Sequence, residues 1–119
     1  MGTAPIEDAI NLHENVVESA LVGYPHEIKG NALYAFVILK NHKNIDGIRV
    51  EINQLISKTI GPIAKPEKIQ IVDGLPKTRS GKIMRRILRK IAAGETDNFG
   101  DISTLLNPEI VKQIVSEKN

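Results

Sequence analysis

Residues 75–86, LPKTRSGKIMRR, concentrate the groups in this chain best suited to chemistry. Hydroxyls and cations alternate through a turn-forming segment, which then runs into an amphipathic pattern at Lys82. A flexible ammonium beside exposed backbone N–H groups suits a polyanionic substrate or transition state. The spacing predicts a helix over about 82–93, with Ser80 as its N-cap and Gly81 as a point where backbone passes close to another surface. A cation in a first helical turn opposes the helix dipole at a cost of roughly 0.3–1 kcal/mol. That misfit is a reason to look to Lys82 for a function. A Walker A loop does not fit, because Pro76 stands where its first glycine belongs and Ile83 where its Ser or Thr belongs. Two other readings of the basic run stay open: the solvated face of an amphipathic helix, and a cluster attracting nucleic-acid phosphates. Scarce aromatics, at 3%, argue against stacking on single strands.

The elements that must position these groups fit one domain of 119 residues with an aliphatic core. The net charge of +2 is modest. Its distribution is uneven, with seven basic and no acidic residues over 77–90. Without cysteine, disulfides, thiolate metal sites and thiol catalysis are excluded. No apolar run suits a membrane span, and Ile6 stands where a myristoylation motif after Met1-Gly2 needs Ser or Thr. The helix pattern starts at Thr3 with no leader, as if a segment upstream had been removed.

Thr3 and Pro5 open a short first helix with Ile6, Ala9 and Ile10 on one face. Strands are predicted over 16–22, closed by Gly23 and Pro25, over 32–39 and over 68–72, the first two as an antiparallel pair. A helix from about Asp46 stops at Gly61-Pro62. The basic helix presents Ile83, Met84, Ile87, Leu88 and Ile91 on its apolar face, and Gly94 ends it. Residues 95–104 read as extended and polar, and Asn107-Pro108 opens a last helix. This order predicts an α+β fold, a small three-stranded and mainly antiparallel sheet flanked by helices.

Beyond these patterns, residues 22–30, VGYPHEIKG, resemble the V-V-G-x-P-H-x-x-K-G segment of adenylate-forming ligases. Residues 60–66, IGPIAKP, resemble their I-G-P-x-A-x-P segment. Residues 75–90 read like the lysine motif of the AMP-forming acetyl-CoA synthetase subfamily, and 91–95 and 100–105 are similar to its tail. On these motifs the chain is identified as a member of the C-terminal domains of that superfamily, which also includes luciferase-like enzymes. A propionyl-CoA or other short-chain acyl-CoA synthetase is the alternative.

The resemblance implies a lid domain with its core over 1–94 and a tail with a short helix over 95–119, part of the same domain. It implies an N-terminal adenylation domain as partner, with acetate, ATP/AMP and CoA as substrates, Mg²⁺ as cofactor, and a cytoplasmic location. Neither a nucleic acid nor a membrane is expected as partner, and the isolated domain is expected to be inactive. Lys82 would serve the adenylation step, positioned by Ser80 and Gly81. It would also be reversibly acetylated, by a protein acetyltransferase and a sirtuin-type deacetylase. The family's Mg²⁺ position, held by main-chain oxygens and a histidine, falls on Asn11, His13 and Val16, although Glu14 stands where a proline is usual. Its CoA-phosphate contact falls on Ser57, with Lys58 next to it.

Overall fold

A computed structural model of the chain describes residues 2–118. Met1 and Asn119, the outer ends of the ranges 1–94 and 95–119, lie outside the described residues. The chain opens with α1 (Ala4–Ile10), where Pro5 is accommodated in the first turn and Ile6, Ala9 and Ile10 are buried. Then come β1 (Val16–His26), β2 (Gly30–Leu39), α2 (Ile45–Thr59), a 3-10 turn (Pro62–Ala64), β3 (Lys68–Ile71), α3 (Arg85–Ala92) and α4 (Glu109–Ser116).

The sheet order is β1-β2-β3. β1 and β2 form a long antiparallel hairpin, from Val16 opposite Leu39 to His26 opposite Gly30. β3 lies parallel to β2 over Tyr34–Val37 and Lys68–Ile71, so the sheet is mixed. Parallel pairing requires a crossover, which α2 supplies. β1 runs past its predicted end at Gly23 and Pro25 to His26. It is an edge strand, where a missing N–H leaves no central ladder bond broken.

Strand alternation divides the core in two. Ala20, Val22, Tyr34 and Phe36 pack with Ile87, Leu88 and Ile91 of α3 and Ile110, Val111 and Ile114 of α4. Leu21, Ala35, Val37 and Ile69 pack on the other face with Ile6 and Ile10 of α1 and Ile48, Ile52 and Ile56 of α2. Covered on both faces, the centre of β2 is an unbroken buried run over 34–37. Buried Gln70 accepts a hydrogen bond from the Tyr34 hydroxyl (2.6 Å) and donates one to the Ile114 carbonyl (2.9 Å), tying α4 to the sheet. Burial lifts the Tyr34 phenol to about 12, with Tyr24 adding to the shift.

Residues 95–104 form no regular element, but they are not wholly solvated. Phe99 and Leu105 enter the α3–α4 core, and Arg86 and Lys90 bond the carbonyls of Phe99 (3.1 Å) and Asn98 (2.9 Å).

Candidate functional site

Lys82 does not stand on a helix. Residues 77–83 form a tight hairpin closed by an antiparallel bridge between Lys77 and Ile83, and α3 begins only at Arg85. The Thr78 N–H donates to the Lys82 carbonyl (2.9 Å) and the Gly81 N–H to the Thr78 carbonyl (2.8 Å). The Lys82 N–H donates to the Thr78 hydroxyl (3.1 Å). A helix starting at Lys82 would need the Lys82 carbonyl for the Arg86 N–H, so the hairpin bond to it competes with the predicted start. Ser80 therefore caps no helix; its hydroxyl pairs with that of Thr78 (2.9 Å). The dipole misfit argued for Lys82 also disappears, since the helix starts three residues later.

Gly81 is required for another reason than close approach. Its φ is +90°, and a Cβ there would meet nothing within 4 Å, so the turn needs glycine for backbone conformation alone. Ile83 and Met84 pack against the α3–α4 core and root the hairpin, and the Met84 N–H donates to the Pro76 carbonyl (2.8 Å). Lys82 itself is exposed, and among the described residues its ammonium has no hydrogen-bond or ion-pair partner. It opens onto a groove of about 520 Å³ shared with Gly81, Arg85, Arg86, Arg89 and Glu18. Lys82, Arg86 and Arg89, which no carboxylate among the described residues pairs, make this groove a natural seat for anions.

Two ion pairs flank it. Lys77 meets Glu18 of β1 at 2.8 Å. Arg85 makes a bidentate pair with Glu7 of α1 (2.5 and 3.0 Å), whose carboxylate also accepts the Leu21 N–H (2.7 Å). Both carboxylates escaped the sequence reading. Glu7 had one available signal, an acidic residue set among the buried positions of a short apolar face.

Ser57 and Lys58 lie together in an open depression on α2, where Lys65 joins them from beyond the 3-10 turn. The Asn53 side-chain oxygen in the same depression is buried with no hydrogen-bond partner. Two lysines thus line one surface. Lys65 was missed by sequence, because only the reversal at Gly61-Pro62 returns it to the helix.

Asn11, His13 and Val16 do not assemble into a side-chain metal site. The Asn11 side-chain oxygen accepts the Ser19 hydroxyl (2.8 Å). His13 Nδ1 accepts the Asn15 N–H (3.1 Å), which puts the ring proton on Nε2, donated to Glu51 (2.7 Å). Both ring nitrogens are engaged, so the imidazole presents no free lone pair to an ion. Among the described residues no three His, Asp or Glu side chains stand close enough to hold a metal ion. Among them also, no helix is long and apolar enough to cross a membrane.

A family profile described as the AMP-binding enzyme C-terminal domain matches residues 5–82. The acetyl-coenzyme A synthetase of Syntrophobacter fumaroxidans is 54% identical over 99% of this chain and 18% of its own length. That of Alkalilimnicola ehrlichii is 53% identical with the same coverage. The chain thus spans 18% of the length of these curated relatives. Among solved structures, an acyl-CoA synthetase of Brucella canis superposes with a TM-score of 0.71 at 36% identity, over 76% of this chain and 17% of that one. The acetoacetyl-CoA synthetase of Streptomyces lividans superposes over 100% of this chain and 18% of that one, with a TM-score of 0.78. At 20% identity, this second likeness speaks for the fold alone.

Proposed function

The chain belongs to the family of AMP-binding enzyme C-terminal domains, and from that premise we propose that it is the lid of an AMP-forming acetate–CoA ligase. In the reading we adopt, an acetate oxygen bonds to the α-phosphorus of ATP as the bond to pyrophosphate breaks. The CoA thiol, losing its proton, then bonds the acyl carbon of acetyl-AMP as AMP departs. The larger remainder of the ligase binds the nucleotide and acetate, and this domain brings Lys82 to them.

The observation that carries this reading is the state of Lys82: an unpaired ammonium at the end of a rooted hairpin, beside a basic groove. Adenylation brings two anions together and builds charge on the phosphoryl oxygens. A preorganised cation lowers both costs, and a folded hairpin pays little further entropy to present it.

The α2 depression supports the second half-reaction. We assign Ser57, Lys58 and Lys65 to a phosphate of CoA, the two ammonium groups supplying the positive charge. The hairpin roots in the core on one sheet face and α2 covers the other, so a lid that turns over presents each surface in turn. Acetylation of Lys82 by a protein acetyltransferase removes its charge and switches off the first step, and a sirtuin-type deacetylase restores it. A cytoplasmic setting agrees with a chain that has no cysteine. We assign no Mg²⁺ to this domain; such an ion is more often held by carboxylates and substrate phosphates, hence with the nucleotide.

The test is a chimera in which this chain replaces the matching segment of one of the half-identical acetyl-CoA synthetases. It is expected to form AMP in a reaction requiring acetate and CoA, while the 119-residue chain alone forms none. A folded but inert chimera would count against the reading. If the chain also held DNA or RNA near physiological salt with a steep salt dependence, the basic-module alternative would replace it.

A further inference from the structure

The hairpin that presents Lys82 is gripped at its base by the tail, beyond the last residue matched by the family profile. The Asn107 side-chain amide donates to the Leu75 carbonyl (2.9 Å), and its oxygen accepts the Lys77 N–H (3.2 Å). One side chain thus bonds the backbone on both sides of Pro76. The next residue back adds a third bond, from the Leu106 N–H to the Lys77 carbonyl (2.9 Å). Across the base, segments 106–107, 75–77 and 83–84 lie side by side, joined on the far side by the Met84 N–H to Pro76 bond (2.8 Å). The approach is close: a Cβ on Gly74 would stand 3.3 Å from Ile110 and 3.7 Å from Asn107.

The grip is itself anchored. The Asn107 carbonyl accepts the Ile110 N–H (3.1 Å) at the start of α4. Gln70 holds the other end of α4 through the Ile114 carbonyl, and Gln113 bonds Asp73 (2.5 Å). From sheet to α4 to Asn107 to the hairpin base, each link is a direct contact. Residues 79–82 at the far end are exposed.

We propose that Asn107 is a positioning residue for Lys82, so that the tail sets where the reactive ammonium stands. The inference rests on the adenylation role given to Lys82 above. Its leverage is geometric. With strand-like rise and an extended lysine side chain, the ammonium lies on the order of 10 Å beyond the base, so a tilt of about 6° there moves it by ~1 Å. A displacement of that size at a reacting centre costs up to about 100-fold in rate.

The experiment uses the full-length chimera and measures the two half-reactions separately. Asn107→Ala is expected to slow acetate-dependent pyrophosphate release by ~10- to 100-fold. Thioester formation from supplied acetyl-AMP and CoA should stay within about twofold. Asn107→Asp keeps the acceptor for Lys77 and loses the donor to Leu75, so its loss should be selective and smaller. Gln70→Leu cuts the anchor of α4 behind Asn107, so it should slow adenylation selectively, by less than Asn107→Ala.

An Asn107→Ala enzyme slowed equally in both steps, or in neither, overturns the inference, provided that Lys82→Ala in the same chimera abolishes adenylation. Should Lys82→Ala leave adenylation intact, the underlying reading falls, and this inference with it. If Asn107→Ala does not accumulate as folded protein, Asn107→Asp decides alone: selective loss supports the clamp and equal loss refutes it.

Discussion

Lys82 is reactive in this account because of what its neighbours withhold. Among the described residues no carboxylate pairs with its ammonium, and Glu18, the acidic residue in the groove, is engaged by Lys77. Gly81 permits the reversal that turns Lys82 outward. Placing a Cβ at its φ of +90° costs about 1–2 kcal/mol of hairpin stability. Gly81→Ala is therefore expected to loosen the hairpin and slow adenylation with little change in the melting temperature of the domain, read by half-reaction kinetics and calorimetry together. At this scale the sequence was informative about residue type and silent about partners. Lys82 stands out by residue type, whereas Ser57 and Lys58 come from the family resemblance alone. Glu7 and Arg85 are 78 positions apart, and no local pattern joins them.

Between residue and domain, the hairpin is the element that sequence patterning misplaced. The apolar positions Ile83, Met84, Ile87 and Ile91 extend a helical period back to Lys82, yet Ile83 and Met84 reach the same core from backbone that precedes the helix. Periodicity reports which side chains are buried. Here the Thr78 N–H takes the Lys82 carbonyl, which a helix starting there would need for the Arg86 N–H. The helices and the hairpin sheet were legible because their apolar periods are long and closed by Gly or Pro. The end of β1 was not, because only its place at the sheet edge admits Pro25. The Glu7–Arg85 pair fastens α1 to the start of α3, directly after the hairpin. Glu7→Ala is expected to lower stability by roughly 1–3 kcal/mol, a range that discounts for an Arg85 side chain 36% exposed. Thermal melting of the chimera's lid and of the parent should show this loss, with Glu7→Gln recovering part of it by keeping an acceptor for the Leu21 N–H.

As a whole, the molecule is a sheet with a different surface on each face, and its stability has one titrating group near its centre. Tyr34 is neutral when it donates to Gln70, and its phenol is lifted from 10.0 to about 12. A raised folded value means its contribution is fully present below pH 10 and is lost as pH rises through about 12. Ultraviolet titration of the two tyrosines should show Tyr34 ionising only near that upper value, together with loss of tertiary structure. A Tyr34 that ionised near 10.0 in the folded chain would contradict the buried Tyr34–Gln70 bond. The central claim concerns the separation of two steps by one mobile domain. Its most direct test is Lys82→Gln in the full-length chimera, with both half-reactions measured on the same preparation. The account predicts that acetate-dependent pyrophosphate release falls by ~10²–10³-fold while acetyl-AMP and CoA still yield acetyl-CoA at the parent rate. Equal loss of both steps, or undiminished pyrophosphate release, would contradict it.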